Sequence, residues 1–295
     1  MTVNVNSPLT RSHEDRILTG WGRTAPSRSR VTSPTNTQAI VDAVRDASSR
    51  GVLARGLGRS YGDAAQSGGG HVLDMTEMRT FELDVLKGTV TVDAGVSVDG
   101  LLRSIVPAGF FIPVTAGTRY VTIGGAVAAD IHGKNHHRDG SFAQHVDSLR
   151  LVDGSGTIRE LSPHDPSSAD EFWATAGGMG LTGVITQATI RLLPIETSKI
   201  LVQTRRFASL DEVMSQMVDG DHHHRYSVAW LDTVSPSGRG VLTWGDHAPV
   251  DVLPMPMREN PLAYAPQQRL GAPAVFPSGA LNSATVRAFN EAWFR

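Results

Sequence analysis

The sequence has no cysteine. That excludes a disulfide, a thiolate nucleophile and a Cys-ligated metal within these residues. It also lacks an excess of one charge: 27 Lys and Arg stand against 29 Asp and Glu, a formal net charge of −2. No surface-wide basic field is therefore available to draw nucleic acid. No apolar run approaches the ~18–20 residues needed to span a bilayer. The polar opening MTVNVNSPLTRSHEDR lacks the apolar stretch of a secretory signal. Aromatic residues are few, at 6%. Glycine is what abounds: 30 residues, gathered in clusters rather than spread evenly. Clustered glycine marks backbone that bends sharply or approaches a ligand closely. The 295 residues, 40% of them hydrophobic, suffice for two ordinary domains with a sizeable core.

Residues 1–30 read as an irregular leader, with Trp21 as an anchor onto the body. A helix is expected over QAIVDAVRDASSRG, where Ile40, Val41, Val44 and Ala47 recur at helical spacing and Gly51 is a natural stop. GVLARG reads as a short buried strand, and VLDM, TFELD and TVTVDAGVSV as further strands. A short helix over 98–108 precedes a strand at FFIPV, and 147–161 reads as a hairpin turning at Asp153-Gly154-Ser155-Gly156. ADEFWATAGG is a helix stopped by glycine, and GVITQATIRLLP is a long strand. Short strands and helices without regular βαβ spacing predict an α+β fold. The expected divisions are the leader, a first domain over 31–196, and the opening of a sheet-based domain over 197–295. Within the last, 248–280 is rich in Pro and reads as an extended or mobile loop. The chain stops inside a helical pattern, ATVRAFNEAWFR, so more protein is expected downstream.

Three glycine-rich segments carry the chemistry. The first follows the GVLA strand: Ala54, Arg55, Gly56, Leu57, Gly58, Arg59, Ser60, Tyr61, Gly62 and Asp63. Its glycines permit positive φ and expose backbone N–H groups, and its arginines and serine add donors suited to a pyrophosphate. It has neither the G-K-[ST] of a P-loop nor the G-x-G-x-x-G spacing. Taken alone, its alternative is a Gly-rich surface turn. The second runs from Gly117 and Thr118 through Thr122, Ile123, Gly124 and Gly125 to Ala129, Asp130, Ile131 and His132. Its small residues would let a cofactor lie against the main chain, or would serve tight helix packing. The third, Gly177–Val184, lies between a helix and a strand and is satisfied by a simple turn. Two such loops, both expected to follow strands, together suggest a paired diphosphate clamp.

The order of RGLGRSYGD, then GTRYVTIGGAVAADIHG, then FWATAGGMGLTG resembles the FAD-binding domain of the vanillyl-alcohol oxidase and p-cresol methylhydroxylase superfamily. Within it, IHGKNHH with ARGLGRSYGD and LTGWGR is similar to the branch that oxidises decaprenylphosphoryl-β-D-ribose. The match runs from about Gly20 through the Trp230 region and weakens across the Pro-rich loop. The resemblance implies a two-subdomain FAD-binding domain followed by the start of a substrate domain. It implies that Arg55 to Asp63 and Gly117 to Gly125 hold the FAD diphosphate. Ala129 to His132 would then lie along the flavin, and Val184 near the adenine-side pocket. Covalent members of the sugar-oxidase branch carry His in the first loop, as R-G-x-G-H-S. Arg59 stands there in this chain and cannot form that bond, so the FAD is expected to be noncovalent.

His132 is the candidate catalytic residue: an imidazole beside the flavin could orient the sugar hydroxyl or balance charge on reduced flavin. Lys134 is a candidate ligand for a substrate phosphate. Trp230 is a wall of the substrate pocket or a core tryptophan. His136-His137 and His222-His223-His224 lack zinc-site spacing and read as solvated loops. The implied reaction is two-electron oxidation of a secondary sugar alcohol, here the 2-hydroxyl of a polyprenyl-phosphoryl ribose. A keto-sugar reductase partner would complete epimerisation to an arabinose donor for cell-wall arabinan. The family's catalytic lysine would fall beyond Arg295. A lipid-linked substrate implies peripheral work at the cytoplasmic or periplasmic face of the membrane. The rival readings are an oxidase of a soluble alditol or aldonolactone, a flavin-binding module without turnover, and, more weakly, a nicotinamide-using reductase.

Overall fold

Asn36 starts the first helix because its side chain accepts from the Ala39 N–H at 2.9 Å, satisfying one of the orphan donors of a helix start. The computed structural model describes residues 13–267 and 279–295. In chain order it forms β1 (Glu14–Leu18), β2 (Ser27–Thr32), α1 (Thr37–Arg45), β3 (Val52–Arg55) and β4 (His71–Asp74). Next come β5 (Phe81–Asp84), β6 (Thr89–Asp93), α2 (Val98–Ile105), β7 (Phe110–Phe111), α3 (Ile123–Ala128) and α4 (His136–Asp139). A hairpin of β8 (Val146–Asp153) and β9 (Ile158–Leu161) leads to α5 (Ala169–Thr175), β10 (Gly183–Arg191) and β11 (Leu193–Pro194). The remainder is β12 (Ile200–Phe207), α6 (Leu210–Asp221), β13 (Tyr226–Leu231), β14 (Gly240–His247), α7 (Met255–Arg258) and α8 (Ser283–Phe294).

Contacts divide these elements into two units. The first holds the described residues up to Leu102, with Thr115–Ile131 and Ser141–Leu192. It contains a four-stranded sheet ordered β1-β2-β4-β3 and a five-stranded antiparallel sheet ordered β5-β6-β10-β8-β9. In the smaller sheet β1 runs antiparallel to β2, while β2 and β3 both run parallel to β4. One face of α1 supplies Ile40, Val41 and Ala43 to a core shared with Leu73, Met75, Met78, Val152 and Val184. Burying side chains of this kind contributes about 1.5–3 kcal/mol each for the larger ones. Gly95 turns the chain out of β6 where no side chain fits: a Cβ there would meet the Met75 carbonyl oxygen at 1.8 Å.

The second unit holds Arg103–Val114, His132–Gly140 and the described residues from Leu193 on. Its antiparallel sheet is ordered β12-β14-β13, with β7 and β11 paired separately. Helix α6 lies on the sheet through buried Val213, and Gly220 admits the Trp244 ring, whose Nε1 would be 2.1 Å from an added Cβ. Asn282 caps α8 in a capping box with Thr285. After β13, Asp232, 3% exposed, accepts from Arg239 Nε at 3.0 Å and Asn290 Nδ2 at 2.6 Å. Among the described residues no helix is long and apolar enough to cross a membrane.

Mixed sheets and helices agree with the α+β expectation, and most elements fall where the periodicity puts them. Four expectations need correcting. The leader over 1–30 is not irregular from Glu14 on, since β1 and β2 join the smaller sheet. Their mostly polar sequences, EDRIL and SRSRVT, bury only Leu18, Ser29 and Val31 and so lack an apolar stripe. The GVLARG strand is half-buried, because β3 lies at a sheet edge. The FFIPV strand shortens to Phe110–Phe111, with Pro113 unable to donate to a ladder. The 248–280 stretch contains a 3-10 turn at Val250–Val252 and α7, while 268–278 lie outside the described residues. The contact-based first unit ends at Leu192, and 103–114 and 132–140 group with the second unit.

Candidate functional site

The first unit forms an open cleft of about 210 Å³ where all three glycine-rich segments converge. Ala54 to Ser60 form one wall directly after β3; Val121, Thr122, Gly124, Gly125, Ala128, Ala129 and Ile131 form another along α3. Met179, Gly180, Gly183 and Ile185, leading into β10, complete it with Met75, Ala94, Ala64 and Ala65. The second segment is therefore not a loop after a strand. Its small residues are the helix α3, started by Thr122, whose Oγ1 accepts from the Gly125 N–H at 3.2 Å. Both meanings of small residues apply at once: they pack closely and they leave room.

Backbone contacts lock the three segments together. A Cβ on Gly56 would lie 2.1 Å from Thr122 Oγ1, so only glycine lets the first loop touch the start of α3. Gly124 donates to the Ala94 carbonyl at 2.8 Å, seating α3 on the end of β6. From the third segment, Gly177 donates to Val127 at 3.0 Å and Met179 to Ala128 at 2.8 Å. Met179 holds a φ of +53° to do so, a conformation uncommon for a side-chain-bearing residue.

Charge in the cavity has one sign. The charged residues lining it are Arg55 and Arg59, and among the described residues no carboxylate lines it. Arg55 is also a brace: Nη1 donates to the Ala65 carbonyl and Nη2 to the Thr19 carbonyl, both at 2.8 Å. Burial lowers the Arg55 pKa from its ordinary value, opposed by the nearby charge of Asp74. Gly58, at φ +62°, leaves space that a Cβ would take from the Arg55 guanidinium. Arg59 donates to the Leu57 carbonyl at 3.0 Å, and its guanidinium carbon sits 4.7 Å from the centre of the Trp21 ring. Trp21 thus does anchor the early chain, its backbone N–H donating to the Ser60 carbonyl at 2.7 Å.

Other expected site residues lie elsewhere. Tyr61, Gly62 and Asp63 are exposed beyond the first wall, and Gly117 and Thr118 precede the second. Ile123 is fully buried in the core. Asp130 turns at φ +38° and gives its carboxylate to the Ala143 N–H at 2.9 Å. Val184 belongs to the α1 core, while its neighbours Gly183 and Ile185 line the cavity; strand alternation makes that choice. His132, Lys134 and Trp230 all belong to the second unit. His132 and Lys134 are exposed, the His132 ring lies 5.9 Å from that of His136, and Trp230 is half-buried in β13. The tryptophan buried in that sheet is Trp244. Sequence reasoning missed Ala64, Ala65, Met75, Ala94 and Ile185 as lining residues, and gave no individual role to Ala128, Met179, Gly180 and Gly183 within the segments it singled out. For Ile185, the alternation along β10 was the available signal.

A cradle of small residues, positive φ and a lining whose charged side chains are arginines suits a long diphosphate-bearing ligand. Residues 29–162 match the FAD binding domain family. They form an FAD-binding domain. Its cofactor is FAD. The chain is 46% identical over 286 residues to decaprenylphosphoryl-beta-D-ribose oxidase of Mycolicibacterium smegmatis, covering 94% of this chain and 62% of that protein. An oxidoreductase of the fasciation locus of Rhodococcoides fascians is 35% identical, over 71% of this chain and 51% of its own. L-gulono-1,4-lactone dehydrogenase of Mycobacterium tuberculosis is 29% identical, over 72% of this chain and 49% of its own. The chain thus spans about half to 62% of the length of these relatives.

Proposed function

We propose that this chain is the flavin-binding portion of an FAD-dependent oxidoreductase that converts the 2-hydroxyl of decaprenylphosphoryl-β-D-ribose to the 2-keto sugar. The observation that carries this reading is the 46% identity sustained across 94% of the chain, through both units. When bound, FAD supplies a two-electron acceptor for the hydride of a secondary alcohol. The FAD-binding domain contributes position: Ala54 to Ser60 and Thr122 to Gly125 hold the diphosphate with backbone N–H groups and guanidinium charge, and Ala128, Ala129 and Ile131 leave room for the ring system. Arg59 offers no atom for covalent attachment, so the cofactor is held noncovalently. Acid precipitation should release all of the yellow colour into the supernatant; a peptide that keeps flavin absorbance would overturn this.

In the same reading, His132 orients the sugar hydroxyl and Lys134 holds the substrate phosphate as a point charge. The lipid tail keeps the enzyme at a membrane surface, and a separate keto-sugar reductase consumes the product. Anaerobic mixing of the FAD-loaded protein with decaprenylphosphoryl-β-D-ribose should bleach the flavin band at about 450 nm, the absorbance of the oxidised cofactor. Bleaching by L-gulono-1,4-lactone or a free alditol instead would replace the lipid-linked substrate with a soluble one. His132→Ala should retain FAD and bleach about 100-fold or more slowly, the scale of a lost acid–base or orienting group.

A further inference from the structure

The segment 132–140 carries both His132 and Lys134, and the second unit holds it through contacts that the functional reading leaves unused. The Ser227 N–H in β13 donates to the Lys134 carbonyl at 2.9 Å. Asn135, 1% exposed, donates through Nδ2 to the Pro113 carbonyl at 2.8 Å and to Asp139 Oδ2 at 2.6 Å. Its Oδ1 is buried with no hydrogen-bond partner, so the orientation of Asn135 rests on those two acceptors. Asp139 is in turn fixed by Arg225, whose Nη1 lies 3.1 Å from both carboxylate oxygens, the pair being mostly buried. The strand end bearing Arg225 is itself pinned, since its N–H donates to Asp246 Oδ1 at 2.8 Å and His224 Nδ1 meets Asp246 Oδ2 at 2.7 Å.

We propose that Arg225 is a positioning residue: through Asp139 and Asn135 it sets the His132–Lys134 turn for the substrate. The inference rests on the functional reading above, which places those two residues beside the sugar phosphate. Its physical content is a chain of linked contacts. Without Arg225, the Asp139 carboxylate is a mostly buried charge that has lost this counterion and is drawn toward water. Asn135 then loses one of the two acceptors that hold its amide, and Lys134 is the next residue in the chain. Because one nitrogen serves both oxygens, an ammonium can reproduce the contact, unlike a two-nitrogen fork.

The test compares R225M and R225K in the FAD-loaded protein, reading amide exchange and anaerobic flavin bleaching by decaprenylphosphoryl-β-D-ribose. R225M should keep its FAD and exchange faster at Ser227 and across 132–140. Its limiting bleaching rate should fall about 10–100-fold, the effect of a misplacement near 1 Å. R225K should restore both. Faster exchange with wild-type bleaching would reduce the ion pair to a structural one and overturn the proposal. So would slow bleaching with wild-type exchange, or a lysine variant no better than the methionine one. If R225M does not fold, Asp139→Asn carries the same expectation, because it keeps the shape and removes the charge. If no sugar bleaches the wild-type flavin, the functional reading fails; exchange unchanged in R225M sinks the hold on the turn independently.

Discussion

Gly56 and Thr122 show how little space separates the two walls of the cavity. The contact at 2.1 Å from Oγ1 would put a methyl group well inside van der Waals distance, and overpacking of this kind costs about 1–3 kcal/mol. Gly56→Ala should therefore part the first loop from α3 and weaken FAD binding by about 10-fold or more, measured by titrating apoprotein with the cofactor. A second residue sets a pH response. Burial lowers the His247 pKa from its ordinary value, with the nearby charge of Arg225 adding to the effect. Its Nε2 shares a hydrogen bond of 3.0 Å with the Tyr226 hydroxyl, whose own pKa burial raises to about 12. The folded state thus binds fewer protons at His247 than the unfolded chain does, so stability drops as pH falls below about 6.5, the unfolded histidine value. His247→Gln should flatten the fall of the thermal unfolding midpoint below about pH 6.5. An unchanged slope would assign that acid sensitivity to other groups.

At the scale of elements, α3 is the decisive piece and the one least legible from sequence. IGGAVA contains two glycines, which disfavour a helix by ~1 kcal/mol each against Ala. Tertiary contact overrides propensity: Thr122 caps the first turn, and Gly124 fits against Ala94 only because it lacks a side chain. Thr122→Ala should cost about 1 kcal/mol of stability, the usual loss for an N-cap, and a chemical denaturation midpoint would register it. Strands with a clear apolar alternation, such as β6 with buried Val90 and Val92, were readable, as were the hairpin of β8 and β9 and the amphipathic α1. Strands β1 and β2 were not, since five- and six-residue polar strands carry no stripe. The same limit applies to the cavity. Glycine clusters announce the segments that approach a ligand. They do not announce Met75 or Ala94, which reach it because of where β4 and β6 end.

For the whole molecule, the FAD-binding domain and its resemblance were visible in three ordered glycine-rich segments. The grouping of 132–140 with residues more than fifty positions later was not, because no local pattern encodes which partner a polar turn will choose. FAD bound to the first unit should stabilise that unit by mass action, by about 2.7 kcal/mol at a hundredfold excess over Kd. Calorimetry with and without the cofactor would measure it, and an unmoved transition would argue against specific binding.

The chain passes back and forth between the two units, leaving the first after Leu102, Ile131 and Leu192. In terms of modularity, the flavin half is therefore not a cassette that can be lifted out as one stretch of chain. A fragment ending at Leu192 keeps Lys134, Asn135 and Asp139 but discards Ser227 and Arg225, the groups that hold them. Such a fragment should be clipped by protease within 132–140 while the full chain resists. Any graft that includes the 132–140 turn would have to carry β13 along with it.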